Sequence, residues 1–339
     1  MAVLKLSFSS SRTATDLLVL CLLLLHVHVH YATALSFRYD SFISPDDFRA
    51  EDDAMVTAGK IELLGDEAGG RARGRALHRQ AVQLWDRVTG EAAGFTATFN
   101  FSIQSLPGRS SGTAGHGMTF FLAPYTPDLD LPQDSYDGCL GLFSKSMVPS
   151  DGTTTVFANA SGGARFVAVE FDTYRDAWDP SSRHIGVDIN NVNSLGNYEI
   201  LPDDSLVDAG VMLATVRYDN ATTRLDVLLA ASGSTYTLAA TVDLRSLLPE
   251  QVSVGFSAAT GDKFGSNHTV LSCSFQSTLA TRNDDTSLPA TSSTKKSTVQ
   301  LIAGVAAAAA VLVLLLIVIV AVLLRRVSRR RSEEKDMFA

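Results

Sequence analysis

The sequence predicts an all-β sandwich. Three observations carry that reading: short alternating or apolar runs, clusters of Gly, Pro, Asn and Asp between them, and almost no helical periodicity. Leu35-Ser36-Phe37-Arg38-Tyr39 alternates. So does the run from Gly94 to Phe101, which puts Phe95, Ala97, Phe99 and Phe101 on one face. Met118 to Leu122 and Phe166 to Phe171 read as mostly apolar strands. Leu225 to Leu229 and Thr235 to Ala239 flank a Ser232-Gly233-Ser234 turn, a hairpin signal. Val252 to Phe256 and Val270 to Phe275 complete the series, with one helical turn expected at Val242 to Leu248, ahead of Pro249.

The flanks are of a different kind. Residues 1–34 read as a secretory signal: Lys5 and Arg12 supply positive charge, Leu17 to Val29 an apolar core, and Ala32-Thr33-Ala34 a cleavage site. His26, His28 and His30 alternate, but they lie in the segment expected to be removed. Leu301 to Leu324 holds 24 residues without a charge. As a helix that is about 36 Å, enough to cross a hydrocarbon core of about 30 Å. Arg325, Arg326, Arg329, Arg330 and Arg331 follow at once, which sets a type I topology with a cytoplasmic C-terminus. The expected order is a signal peptide (1–34), one β domain (35–280), a Ser/Thr-rich stalk (281–300), a single transmembrane helix (301–324) and a short basic tail (325–339).

The whole chain carries a net charge of −8, but residues 35–287 hold 18 basic against 32 acidic residues, hence −14. An acidic ectodomain argues against nucleic acid or anionic lipid as its partner, while the basic tail suits the inner leaflet. Only Cys139 and Cys273 remain after the signal, and they are expected as two buried thiols, since a domain this large needs no staple. Sequons at Asn100, Asn159, Asn220 and Asn267 fit a glycosylated extracellular or lumenal domain.

The stretch from Phe166 to Ser194 concentrates the chemistry. Glu170 and Asp172 stand two apart on a strand, so both carboxylates leave the same face. A loop with Tyr174, Asp176 and Asp179 follows, broken by Pro180, and a second strand begins at His184. Acids gathered this way repel one another unless a cation sits among them. Oxygen ligands suit calcium, and a set that includes an imidazole suits a transition ion such as manganese.

EFDTY, DP, HIGVDIN and the following Ser194 resemble the metal-binding segment of the legume-type, or concanavalin-like, lectins. GRALHRQAVQLWD (74–86, with Trp85 as a core aromatic), GHGMTFFLAP (115–124), DGCLGLF (137–143), VDLRSLLPEQVSVGFSAATG (242–261) and HTVLSCSF (268–275) are similar to further family segments in the same order. The last has Cys273 where the family usually has Trp. The resemblance covers residues 35–278. It implies a jelly-roll sandwich of antiparallel sheets with structural calcium and manganese. The manganese-type ion would take Glu170, Asp172, Asp179, His184 and, through water, Ser194; calcium would take Asp172, Asp179, the carbonyl of Tyr174 and the side chain of Asp176.

By the same resemblance, the sugar contacts fall at His116, Gly138, Tyr174 and Asp176. Two of them depart from the family: His116 stands where an Asp accepts two sugar hydroxyls, and Asp176 where an Asn donates one. Catalysis is not expected. Related glycosidases need a second acid on the strand, where this chain has Tyr174 and Arg175, and no Ser-His-Asp set, phosphate loop or CxxC is present. Signal, lectin domain and span are the layout of plant lectin receptor kinases, but only 15 residues follow the span, too few for a kinase. The expected role is a cell-surface glycan receptor at the plasma membrane. The alternatives are a lectin-like co-receptor or scaffold for a partner receptor kinase, and a cargo lectin of the endoplasmic reticulum or Golgi. A homodimer is a further partner expectation.

Overall fold

The computed structural model of the protein describes residues 34–65, 70–106, 114–126, 132–149, 157–194, 196–262 and 265–280. All belong to a compact unit, Met1–Asn283; a second unit, Asp284–Ala339, lies outside the described residues. The predicted signal peptide (to residue 33), the stalk, the transmembrane helix and the tail also lie outside them. Among the described residues no helix is long and apolar enough to cross a membrane.

The strands run in chain order as β1 (Ala34–Tyr39), β2 (Phe48–Asp52), β3 (Met55–Thr57), β4 (Lys60–Leu64), β5 (Arg73–His78) and β6 (Val82–Gln83). Next come β7 (Phe95–Ser105), β8 (Gly117–Pro124), β9 (Val167–Asp172), β10 (His184–Ile189) and β11 (Tyr198–Ile200). The series ends with β12 (Met212–Asp219), β13 (Arg224–Ala231), β14 (Ser234–Thr241), β15 (Gln251–Ala259) and β16 (Ser266–Ala280). The one described α-helix, α1 (Leu244–Leu247), falls inside the predicted turn, where the Asp243 side chain accepts from the Ser246 N–H.

These strands form two antiparallel sheets. The first has the order β14-β13-β12-β7-β16-β4-β3, with β1 also on β16; the second has the order β11-β10-β9-β8-β15-β5-β2, with β6 also on β15. Consecutive strands pair in runs (β12 to β14, β8 to β11), and these runs are joined by pairs far apart in sequence, such as β7 with β16 and β8 with β15, as in a jelly roll. The predicted hairpin is β13–β14: Ala231 faces Ser234, and Ser232 and Gly233 both take positive φ, the two-residue turn whose twist suits a hairpin.

Alternation decides what each face buries. Phe95, Ala97, Phe99 and Phe101 all enter the core between the sheets. Phe99 meets Phe120 and Phe256 at centroid distances of 5.6 and 5.0 Å, and Phe101 meets Phe171 at 4.7 Å. Removing one such ring costs about 3–5 kcal/mol. Val167, Val169 and Phe171 of β9 face the same core, so Ala168, Glu170 and Asp172 must face the other side of their sheet. There Ala168 joins a second apolar cluster with Phe121, Cys139, Phe143 and Phe166 under the covering loops.

Cys139 and Cys273 are buried free thiols, as expected. Trp85 is half-buried against the core, and its Nε1–H donates to the Leu248 carbonyl at 3.0 Å. The sequon asparagines differ in access: Asn159 and Asn220 are exposed and Asn100 is half-buried on β7. Asn267 is only 8% exposed, its Oδ1 accepting the Thr269 hydroxyl at 2.8 Å.

Candidate functional site

Register builds the site. Asp172 lies between Gly117 and His184, and Glu170 between Thr119 and Gly186. Glu170, Asp172 and His184 are buried and bring one ligand atom each within 4.8 Å of the others. His184 Nε2 is 3.0 Å from Glu170 Oε1, while Nδ1 lies 3.8 Å from Asp172 Oδ1 and has no hydrogen-bond partner. A Cβ on Gly186 would stand 2.2 Å from Glu170 Oε1 and 2.7 Å from Ser194 Oγ. The glycine leaves the room in which those two side chains meet, which brings Ser194 into the cluster.

The loop from Asp172 to Asp179 is tied to its own carboxylates. Asp172 Oδ1 accepts the Tyr174 N–H at 2.9 Å, and Asp179 Oδ2 accepts the Asp176 N–H at 2.6 Å. The Thr173 hydroxyl donates to the Gly115 carbonyl and the Arg183 guanidinium to the Thr173 carbonyl, so the loop is anchored on both sides.

Burial is the main cause that pushes these acids toward their neutral forms. Asp172 is raised well above the usual carboxylate range by burial, then by the charges of Asp179 and Glu170. Asp179 is raised to about 9 by burial, then by Glu170 and Asp176. A divalent cation reverses both causes by supplying the missing opposite charge. Two buried carboxylates, an imidazole with an orphaned nitrogen and the adjoining Asp179 therefore fit a transition ion, and the oxygen-rich loop fits calcium.

Asp188 is the functional-site neighbour that the sequence reasoning missed. It is fully buried on β10, and neither carboxyl oxygen has a hydrogen-bond partner. Burial, then the charge of Glu170, raises its carboxyl well above the usual range. Its signal was present: Asp188 is in phase with His184 on the same strand.

The four expected sugar-contact residues converge on one pocket of about 510 Å³, inside the range of small-ligand sites. His116, Gly138, Tyr174 and Asp176 all line it, together with Asp137, Lys145 and Trp178. His116 Nδ1 is 2.7 Å from Asp176 Oδ2, and the His116 and Tyr174 ring centroids are 4.5 Å apart. A Cβ on Gly138 would lie 2.1 Å from Asp176 Oδ2, so the absence of a side chain there admits the Asp176 carboxylate. Asp176 thus faces the pocket and His116 while its backbone N–H holds Asp179.

A β sandwich with a buried acid–imidazole cluster beneath a polar pocket is the architecture of a sugar-binding lectin. The legume lectin domain model matches residues 34–290, and the chain belongs to that family. A lectin-related protein of Cladrastis kentukea is 36% identical over 266 residues, 74% of this chain and 81% of that one. The anti-H(O) lectin of Lotus tetragonolobus is 35% identical over 257 residues, 72% of this chain and 97% of the relative. Among solved structures, basic winged bean lectin with Tn-antigen is 33% identical, with a TM-score of 0.61, covering 73% of this chain and 99% of its own. Legume lectins generally bind calcium and manganese as structural ions. The described residues form a carbohydrate-binding legume lectin domain.

Proposed function

We propose that the chain is a receptor-like protein of the plasma membrane that recognises extracellular glycans through this domain, without catalysis. The carrying observation is that the pocket and the metal segment share residues: Tyr174 and Asp176 belong to the loop that Asp172 and Asp179 hold. Glu170, Asp172, Asp179 and His184 would hold the manganese-type ion, with Ser194 through water. Asp172, Asp179, the Tyr174 carbonyl and Asp176 would hold calcium. Bound ions supply the positive charge that these buried acids lack. The chain's own residues then present a fixed loop to the ligand, which limits the ordering cost of binding. The winged bean relative was solved with Tn-antigen, and that likeness supports a glycan as the ligand class.

The membrane role rests on the sequence: a signal peptide, an uncharged 24-residue run and the arginines after it. A partner receptor kinase would carry any signal inward. The test is a glycan array probed with the full-length chain, with and without chelator, beside surface biotinylation of tagged protein in cells. Chelator-sensitive glycan binding and surface labelling are the expected results. Retention in the endoplasmic reticulum or Golgi would overturn the surface role in favour of a cargo lectin.

A second reading is a metal-stabilised domain that no longer binds sugar and serves as scaffold or co-receptor. It is favoured by the His116–Asp176 bond, which engages both altered positions with each other. An array without any binding, from a protein that calcium still stabilises, would select it.

A further inference from the structure

We propose that Asp137 and Lys145 are the acceptor and donor of this glycan site, taking over the work that His116 and Asp176 no longer do. The inference rests on the carbohydrate-binding reading above and names the polar groups that carry it.

The two altered sugar-contact positions are occupied with each other. A carboxylate only accepts, so the 2.7 Å contact assigns the His116 proton to Nδ1, directed at Asp176. That bond engages one Asp176 oxygen and the His116 Nδ1–H with each other. Asp137 supplies what is missing. Its Oδ1 lies 3.8 Å from His116 Nε2, and its Oδ2 is ion-paired with Lys145 Nζ. Asp137 and Lys145 both line the pocket beside Gly138, with their side chains 17% and 44% exposed, so they reach a ligand.

Two backbone features hold this acid in place. Asp137 has φ of 57°, a left-handed conformation that favours glycine and that asparagine and aspartate tolerate better than other residues. A carboxylate held in a conformation of that kind, in the lining of a pocket, points to a binding position. Across from it, a Cβ on Gly261 would stand 2.5 Å from Asp137 Oδ1 and 2.7 Å from His116 Nε2. Any side chain at 261 would displace both groups.

A carboxylate beside an ammonium matches adjacent hydroxyls of a pyranose: one hydroxyl donates to Asp137 Oδ1 and its neighbour accepts from Lys145 Nζ. The apolar face of the ring rests on Tyr174, which lines the same pocket. The ligand class is a neutral pyranoside with vicinal hydroxyls.

The experiment is isothermal titration of the full-length chain, purified in a sugar-free detergent with calcium and manganese. Methyl glycosides of galactose, N-acetylgalactosamine, mannose and fucose are the probes. Wild type binds at least one, and Asp137→Asn and Lys145→Met each weaken it about tenfold or more at unchanged melting temperature. Asp137→Gly removes the carboxylate while relaxing the positive φ, so its loss of binding is not a folding defect. Wild-type affinity in all three variants would overturn the assignment and leave the lectin reading standing. Failure of wild type to bind any of the probes, or any glycan on the array, would overturn both.

Discussion

His116 Nδ1 lies 2.7 Å from Asp176 Oδ2, so the two residues that depart from the family's sugar contacts are partners across 60 positions of chain. Each change alone leaves a partly buried polar group facing the wrong partner. Together they satisfy each other. They are one substitution in physical terms.

The coupling is measurable. His116→Asp alone would set a carboxylate against Asp176, and Asp176→Asn alone would trade a charged acceptor for an amide. Each single change is expected to destabilise by about 1–3 kcal/mol. The double change restores an acid–amide pair and should cost less than the sum, with a coupling of about 1 kcal/mol or more in a urea double-mutant cycle. Additive costs would show that the bond carries no stability.

Much of the site was legible because it is local. Glu170 and Asp172 share a face by strand phase, and the loop to Asp179 closes on its own carboxylates, so their meeting follows from the sequence. Asp188 was equally legible, in phase with His184, although the resemblance gave it no ligand role. The His116–Asp176 bond and the approach of Asp137 depend on where β8, β9 and β15 fall side by side, and no local pattern encodes that. Among the elements, β12 alternates buried Met212, Ala214, Val216 and Tyr218 cleanly yet was passed over beside the stronger hairpin signal. β3 and β4 are short, and half-buried Lys60 and Glu62 interrupt the apolar pattern of β4, so little marks them.

Metal removal should act with a pH dependence of definite sign. Asp179 ordinarily titrates near 3.8 and is raised to about 9, so across that window the metal-free fold keeps a proton that the unfolded chain has released. The metal-free stability contributed by this group is therefore present at acid pH and lost as pH rises toward about 9. His78 and His268, buried and lowered to about 4 from 6.5, act oppositely below neutral pH, but they do so with or without metal. The gap in melting temperature between metal-loaded and chelated protein should widen from pH 5 to pH 8.5. Equal gaps at every pH would exclude these acids as the metal's ligands.

The thiols should be inert. Cys139 and Cys273 are buried and unpaired, and burial holds the Cys273 thiol up to about 12, far from reactive thiolate. Excess dithiothreitol is expected to leave the melting temperature unchanged, and maleimide should label neither thiol in the folded chain. A drop on reduction would mean that the two residues pair in the native protein.

Gly186 and Asp188 separate packing from ligation on one strand. A methyl group at 186 would collide with Glu170 Oε1 at 2.2 Å and with Ser194, so Gly186→Ala should cost about 1–3 kcal/mol and weaken manganese binding together. Asp188 is different: it is buried on the same strand but lies outside the group of Glu170, Asp172 and His184 whose ligand atoms converge. Asp188→Asn keeps the shape and offers an N–H toward Glu170. Manganese affinity should stay within about threefold of wild type, since no converging ligand atom is lost. Electron paramagnetic resonance of free manganese during titration reads both variants. If Asp188→Asn abolished binding while Gly186→Ala did not, Asp188 would have to ionise and enter the coordination shell, and its place beside Glu170 would become that of a ligand.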